Sequence, residues 1–137
     1  CKNPSMVYTG SEFAVVCVSD WPDFTATDVY LIRLSPVGQL LDDAVVLMAA
    51  LSNCDFLSLA FSGREFGLLW TGVTLDQRVF FGRFLPYGTP IGEPLEIISN
   101  IDVMFARELQ LVWTGNEYVV VWDSVRNIFF SRIGCLP

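Results

Sequence analysis

The stretch Leu111-Val112-Trp113-Thr114-Gly115-Asn116-Glu117-Tyr118-Val119-Val120-Val121-Trp122-Asp123 decides the fold. It reads as an apolar run, a two-residue turn at Asn116-Glu117 and a second apolar run returning beside the first, the pattern of a β-hairpin. The chain writes it three times. Phe61-Ser62-Gly63-Arg64-Glu65-Phe66-Gly67-Leu68-Leu69-Trp70 is the second copy, and Tyr8-Thr9-Gly10-Ser11-Glu12-Phe13-Ala14-Val15-Val16-Cys17 is the first. Each copy runs aromatic, Ser or Thr, Gly, any residue, Glu, aromatic, then three small or apolar residues before Trp or Cys. The marker glycines Gly10, Gly63 and Gly115 recur at a spacing of roughly 50 residues, which is a structural repeat.

Outward from each hairpin the copies continue to match. In repeat one, strands are predicted over Pro4–Tyr8 and Phe13–Val18, then over Val29–Leu34 after a polar loop, and finally over Ala44–Met48. Repeat two gives Leu57–Phe61, Phe66–Trp70, Val79–Phe84 and Pro94–Ile98. Repeat three gives Leu109–Trp113, Tyr118–Trp122 and Ile128–Ile133, with no fourth strand after it. β-Branched and aromatic residues dominate these runs, and none keeps helical spacing at length. The prediction is one repeat domain over residues 1–137, with repeats at about 4–48, 57–98 and 109–137 and eleven strands in all.

Four-strand units at such a period are typical of propeller blades. The shared pattern of Pro, aromatic, Gly, aromatic, Val and Trp-x-Asp, then a strand with Arg and a turn with Gly, resembles the propeller-type repeats of large secreted bacterial proteins. Pro4, Gly10, Phe13, Val16, Arg33 and Gly38 carry the resemblance in repeat one. Gly63, Phe66, Leu69, Trp70, Arg83 and Gly88 carry it in repeat two, and Gly115, Tyr118, Val121, Trp122, Asp123 and Arg132 in repeat three. The resemblance implies an all-β, β-propeller-like fold of three four-stranded blades, the last incomplete, in an extracellular or cell-surface setting. It carries no catalytic residue across. Cys17 stands where the pattern has Trp, and Val37-Gly38 and Tyr87-Gly88 stand where it has Asp-Gly. Three blades do not close a ring, since propellers typically have four to eight. Completion is expected from a second copy or from further blades of a longer chain. The alternative architecture is a β-trefoil, which also holds three four-stranded repeats.

Composition narrows the function. The chain of 137 residues is 53% hydrophobic and only 17% charged, which fits strands buried on both faces. No apolar run approaches the roughly 18–20 residues of a membrane helix. The formal charge of −7, with eight basic residues spread along the chain, argues against a nucleic-acid partner. With no His in the chain, Ser-His-Asp and Cys-His sites within it are excluded. Cys1, Cys17, Cys54 and Cys135 show no C-x-x-C spacing, and four cysteines allow three full pairings. Cys1 and Cys135 bracket the chain as a candidate closing disulfide, and Cys17 reads as a small buried hydrophobe. No signal peptide is visible, which fits a mature secreted chain, a cytosolic one or, with Cys1 first, a processed lipoprotein.

The arginines Arg33, Arg83 and Arg132 recur in the third strands, and their periodicity predicts a packing role with a nearby carboxylate. Glu12, Glu65 and Glu117 recur in the turns and read as solvated. Trp70, Trp122 and Trp113 read as core. The loop Asp20-Trp21-Pro22-Asp23-Phe24-Thr25-Ala26-Thr27-Asp28 has no counterpart in repeat three. Its Trp21, flanked by Asp20, Asp23 and Asp28, makes an aromatic platform of the kind that holds a sugar or a peptide, and Asp76 sits in the matching loop of repeat two. The three aspartates also suit Ca²⁺ chemically, although their spacing is not that of an EF-hand. No cofactor is expected, and nothing pairs two carboxylates as a glycosidase requires. The expected function is a non-catalytic binding, adhesion or scaffold module with a carbohydrate or protein ligand. The alternatives are purely structural self-assembling blades, or part of a propeller enzyme acting on glycans.

Overall fold

A computed structural model describes residues 1–19, 27–51, 54, 56–72, 78–98, 108–124 and 127–134. Among the described residues eleven strands follow one another in the order β1 (Lys2–Tyr8), β2 (Phe13–Val18), β3 (Thr27–Leu34), β4 (Val45–Leu51), β5 (Leu57–Phe61), β6 (Phe66–Gly72), β7 (Arg78–Phe84), β8 (Leu95–Ile98), β9 (Leu109–Trp113), β10 (Glu117–Ser124) and β11 (Asn127–Gly134). They form three separate sheets in which sequence neighbours pair: β1-β2-β3-β4, β5-β6-β7-β8 and β9-β10-β11. All pairings are antiparallel. The protein is all-β, with one sheet per repeat.

The repeated motif builds the first hairpin of each sheet, and every residue in it has a job. Its aromatics pair across the strands: Tyr8 with Phe13, Phe61 with Phe66, and Trp113 with Tyr118. Their ring centroids lie 5.0, 5.0 and 4.8 Å apart, a favourable tilted geometry. Between them the amides of Thr9, Ser62 and Thr114 donate to the carbonyls of Glu12, Glu65 and Glu117 at 2.9, 3.0 and 3.0 Å. The hydroxyls of the same Thr, Ser and Thr donate to the same carbonyls at 3.1 Å. Gly10, Gly63 and Gly115 take φ of +101°, +91° and +107°, which glycine adopts without the Cβ clash of other residues. The turn is therefore the four-residue loop Thr114–Glu117, wider than the expected pair Asn116-Glu117, because Ser/Thr closes it and Gly bends it.

Alternation along the strands gives every sheet a leading face, turned toward the preceding repeat, and a trailing face, turned toward the next. Trailing residues Ala14, Val16, Val29 and Leu31 of the first sheet pack on leading residues Leu59, Phe66, Leu68 and Trp70 of the second. Trailing residues Ala60, Leu69, Val79 and Phe81 of the second sheet pack on Leu109, Leu111, Tyr118 and Val120 of the third. The middle sheet is thus covered on both sides, and Phe66 through Thr71 are all buried. Gly67 permits the second contact: a Cβ there would lie 2.5 Å from Cε1 of Tyr118.

The first strands run against one another, β1 on β5 and β5 on β9, and each junction has the same polar tie. Ser5 Oγ accepts from the Leu59 amide at 3.0 Å, and Ser58 Oγ accepts from the Leu111 amide at 2.8 Å. Both serines sit five residues before the motif glycine, and both amides sit four before it. The stacking of sheets therefore repeats as faithfully as the sheets themselves.

The expected Cys1–Cys135 closure is overturned, because Cys1 is bonded to Cys17, with Cα atoms 5.4 Å apart. Pairing of Lys2 with Val18 at the far end of the first hairpin brings the two cysteines side by side. Cys17 is buried as expected, but as half of a disulfide in the place held by Trp70 and Trp122. Cys54 is buried too, its thiol 3.9 Å from the Phe56 carbonyl, and Cys135 lies outside the described residues.

Candidate interaction surfaces

The two charged series of the repeats pair with each other. Glu12 receives Arg33 Nε and Nη2, both at 2.7 Å. Glu65 receives Arg83 Nε at 2.6 Å and Nη2 at 2.8 Å, and Glu117 receives Arg132 Nε at 2.9 Å and Nη2 at 2.7 Å. Such two-point forks are the strong form of this interaction. The glutamates are not solvated turn residues: their side chains are only 14, 13 and 17% exposed. Each ends a loop that delivers it beside the third strand, where its arginine waits. The Arg33 hydrogen bond holds the Glu12 carboxyl below its ordinary value, and the Glu12 bond raises Arg33. Hydrogen bonding to Glu117 raises Arg132 likewise. Arg33 also meets Asp42 at 2.6 Å and lies 4.6 Å from the ring centre of Tyr87 of the next repeat, a cation–π distance. Each arginine pairs with a carboxylate of its own repeat, as their periodicity predicted, and Arg33 also reaches the next repeat.

Above the first two pairs, where one hairpin meets the next, lies a groove. The first, of about 310 Å³, is lined by Thr9, Glu12, Arg33, Phe61 and Pro86. The second, of about 470 Å³, is lined by the equivalent Ser62, Glu65, Arg83 and Trp113, with Arg64 in the place of Ser11 and Asn116 added. Both fall within the size range of small-molecule sites. Trp113 is half-buried against Tyr118, and Trp70 and Trp122 stack on Phe80 and Phe129. Among the described residues no group of three or more His, Cys, Asp or Glu could hold a metal ion.

Of the residues picked out as a ligand platform, Asp20, Trp21, Asp23 and Asp76 lie outside the described residues. Asp28 is in β3 and half-buried. Its carbonyl accepts from the Ser19 amide and its own amide donates to Ser19 Oγ, each at 2.8 Å. That exchange clamps the base of the loop between β2 and β3.

The expectation that the end blades would need completing drew attention to the outer faces of the stack without naming the residues that form them. On the trailing face of the third sheet, Ile128 is 81%, Phe130 68% and Val112 51% exposed. Their equivalents at the two internal junctions, Val29 and Val79, Leu31 and Phe81, and Ala60, are buried. The signal was present in the aligned triplets Val29-x-Leu31-x-Arg33, Val79-x-Phe81-x-Arg83 and Ile128-x-Phe130-x-Arg132. At the opposite end, on the leading face of the first sheet, Met6 and Tyr8 are exposed where Leu59 and Phe61, or Leu111 and Trp113, contact a preceding sheet. Comparison with models of protein families finds no match, and comparison with curated protein sequences finds none.

Proposed function

We propose that the chain is a non-catalytic binding or scaffold module of an extracellular protein, a run of propeller-like blades that holds a protein partner on an end face of its stack. One observation carries this reading: the third sheet exposes, through Ile128, Phe130 and Val112, the face that both earlier sheets bury. A contiguous apolar patch of this kind marks a protein interface more than a small-ligand site. Sequential four-stranded sheets with their first strands in mutual contact favour blades over a trefoil. The Cys1–Cys17 bond favours an oxidising compartment. The Glu–Arg pairs engage the recurring charges in structure, which favours a non-catalytic role.

Carbene or hydroxyl-radical footprinting of the protein in its native particle tests the reading. Ile128 and Phe130 should label far less than Tyr87 and Val37, which are exposed elsewhere. Equal labelling would end the proposal. A second reading, a carbohydrate ligand, has its own support in the 470 Å³ groove, where Trp113 offers an aromatic wall beside Asn116 and Arg64. Saccharide titrations that shift tryptophan fluorescence in the wild type but not in Trp113→Ala would favour it.

A further inference from the structure

We infer that the partner on the trailing face of the third sheet is the leading face of the first sheet of a second copy, so that two chains close head to tail into one six-sheet particle. This rests on the reading of the end face as an interaction surface and names its occupant. The argument is continuity with the two junctions already inside the chain. At each of them an aliphatic or aromatic trailing face receives the leading face of the next repeat, and a side chain of one first strand accepts from the backbone of the next.

The two open ends carry the matching halves of that junction. Val112, Ile128 and Phe130 occupy the trailing positions filled by Val7, Val29 and Leu31 in repeat one, and Met6 and Tyr8 occupy the leading positions filled by Leu59 and Phe61 in repeat two. Gln110 stands where Ser5 and Ser58 stand, and it is exposed. Its side-chain carbonyl is the acceptor for the Met6 amide of the second copy, the equivalent of the Leu59 and Leu111 amides. A head-to-tail contact generates a ring when its rotation closes and a filament when it does not. Here the same contact occurs twice in a two-fold pair, and six sheets fall within the four to eight of radial stacks. No apolar end face is then left in water, whereas a tail-to-tail pair would cover Phe130 and leave Met6 and Tyr8 bare.

Light scattering on the purified chain, with two surface variants, tests this. Ile128→Asp spoils the tail and Met6→Asp spoils the head; both positions are exposed, so circular dichroism and melting of each variant should match those of the wild type at equal chain state. The wild type should weigh twice the chain mass. Each variant alone should be monomeric, and an equimolar mixture should recover pairs through the one intact tail and the one intact head. A monomeric wild type, or an open series of higher masses, overturns the inference. A Met6→Asp variant that stays paired while Ile128→Asp does not would show tail-to-tail contact and overturn it equally. Protected Ile128 and Phe130 in the native particle together with a monomeric pure chain would remove the second copy as occupant and leave the binding-module reading standing.

Discussion

Glu12 shows how one repeated residue serves the fold. Its carboxylate is shielded in a loop and gripped at two points by Arg33, and that grip lowers its proton affinity below the ordinary value. A carboxyl whose folded pKa is depressed stabilises the native state fully above its unfolded value, about 4.3. That contribution is lost as pH falls through the folded value. Glu12→Gln should therefore lower the urea midpoint at pH 7 by the equivalent of about 1 kcal/mol. The gap between variant and wild type should close as the buffer is taken below pH 4. A gap of constant size from pH 7 to pH 3 would show that the pair contributes shape and not charge. The identity of this partner was not legible in the sequence. Both series were visible, but whether a loop glutamate faces water or a neighbouring strand depends on loop width, and the turn was read two residues too short.

At the scale of elements, strand positions were legible because strands here are apolar runs bounded by Gly, Pro and polar residues. β2, β5 and β9 lie where the pattern put them, and the others differ chiefly by one to three residues at their ends. Faces were harder to read. The strands of the middle sheet are apolar on both sides, so alternation is erased where burial is greatest. Ser5 and Ser58 were not singled out in the sequence, yet each accepts from an amide of the next sheet. Ser58→Ala should leave the Leu111 amide without its acceptor inside a buried junction, at a cost of about 1–3 kcal/mol. Hydrogen exchange would locate the effect: the Leu111 amide should lose protection more than amides at the β6–β7 pairing of the same protein. Uniform loss across all strands would place the serine's role elsewhere. The platform built on Trp21, Asp20, Asp23 and Asp76 lies outside the described residues, and Asp28 serves as a loop clamp.

For the whole molecule, stability is divided between junctions, as expected when each repeat contacts only its neighbours. Within the described chain each outer sheet has a single junction, and the first gains a covalent bond. Cys1–Cys17 closes a loop of sequence separation 16; chain-entropy reasoning assigns a loop of this size about 3 kcal/mol. Reduction should lower the melting temperature by about 10 °C, and a non-reducing peptide map should contain the Cys1–Cys17 pair. A map linking Cys1 to Cys135 instead would contradict the arrangement. The cysteines were legible only as candidates, because pairing depends on which strand ends meet, and Cys1 meets Cys17 through the β1–β2 register.

The same bond has a bearing on how the chain finds its order. Three look-alike sheets can exchange places during folding, and misassembly between like units is the characteristic failure of repeat proteins. Tryptophan at the end of β6 and β10 makes those two strands interchangeable in outline. Repeat one carries in that place a disulfide that reaches back to its own first residue, and neither Trp70 nor Trp122 can reproduce it. Oxidation thereby sets one of the three sheets apart, and gives a nearly symmetric chain a fixed point from which its order can be told.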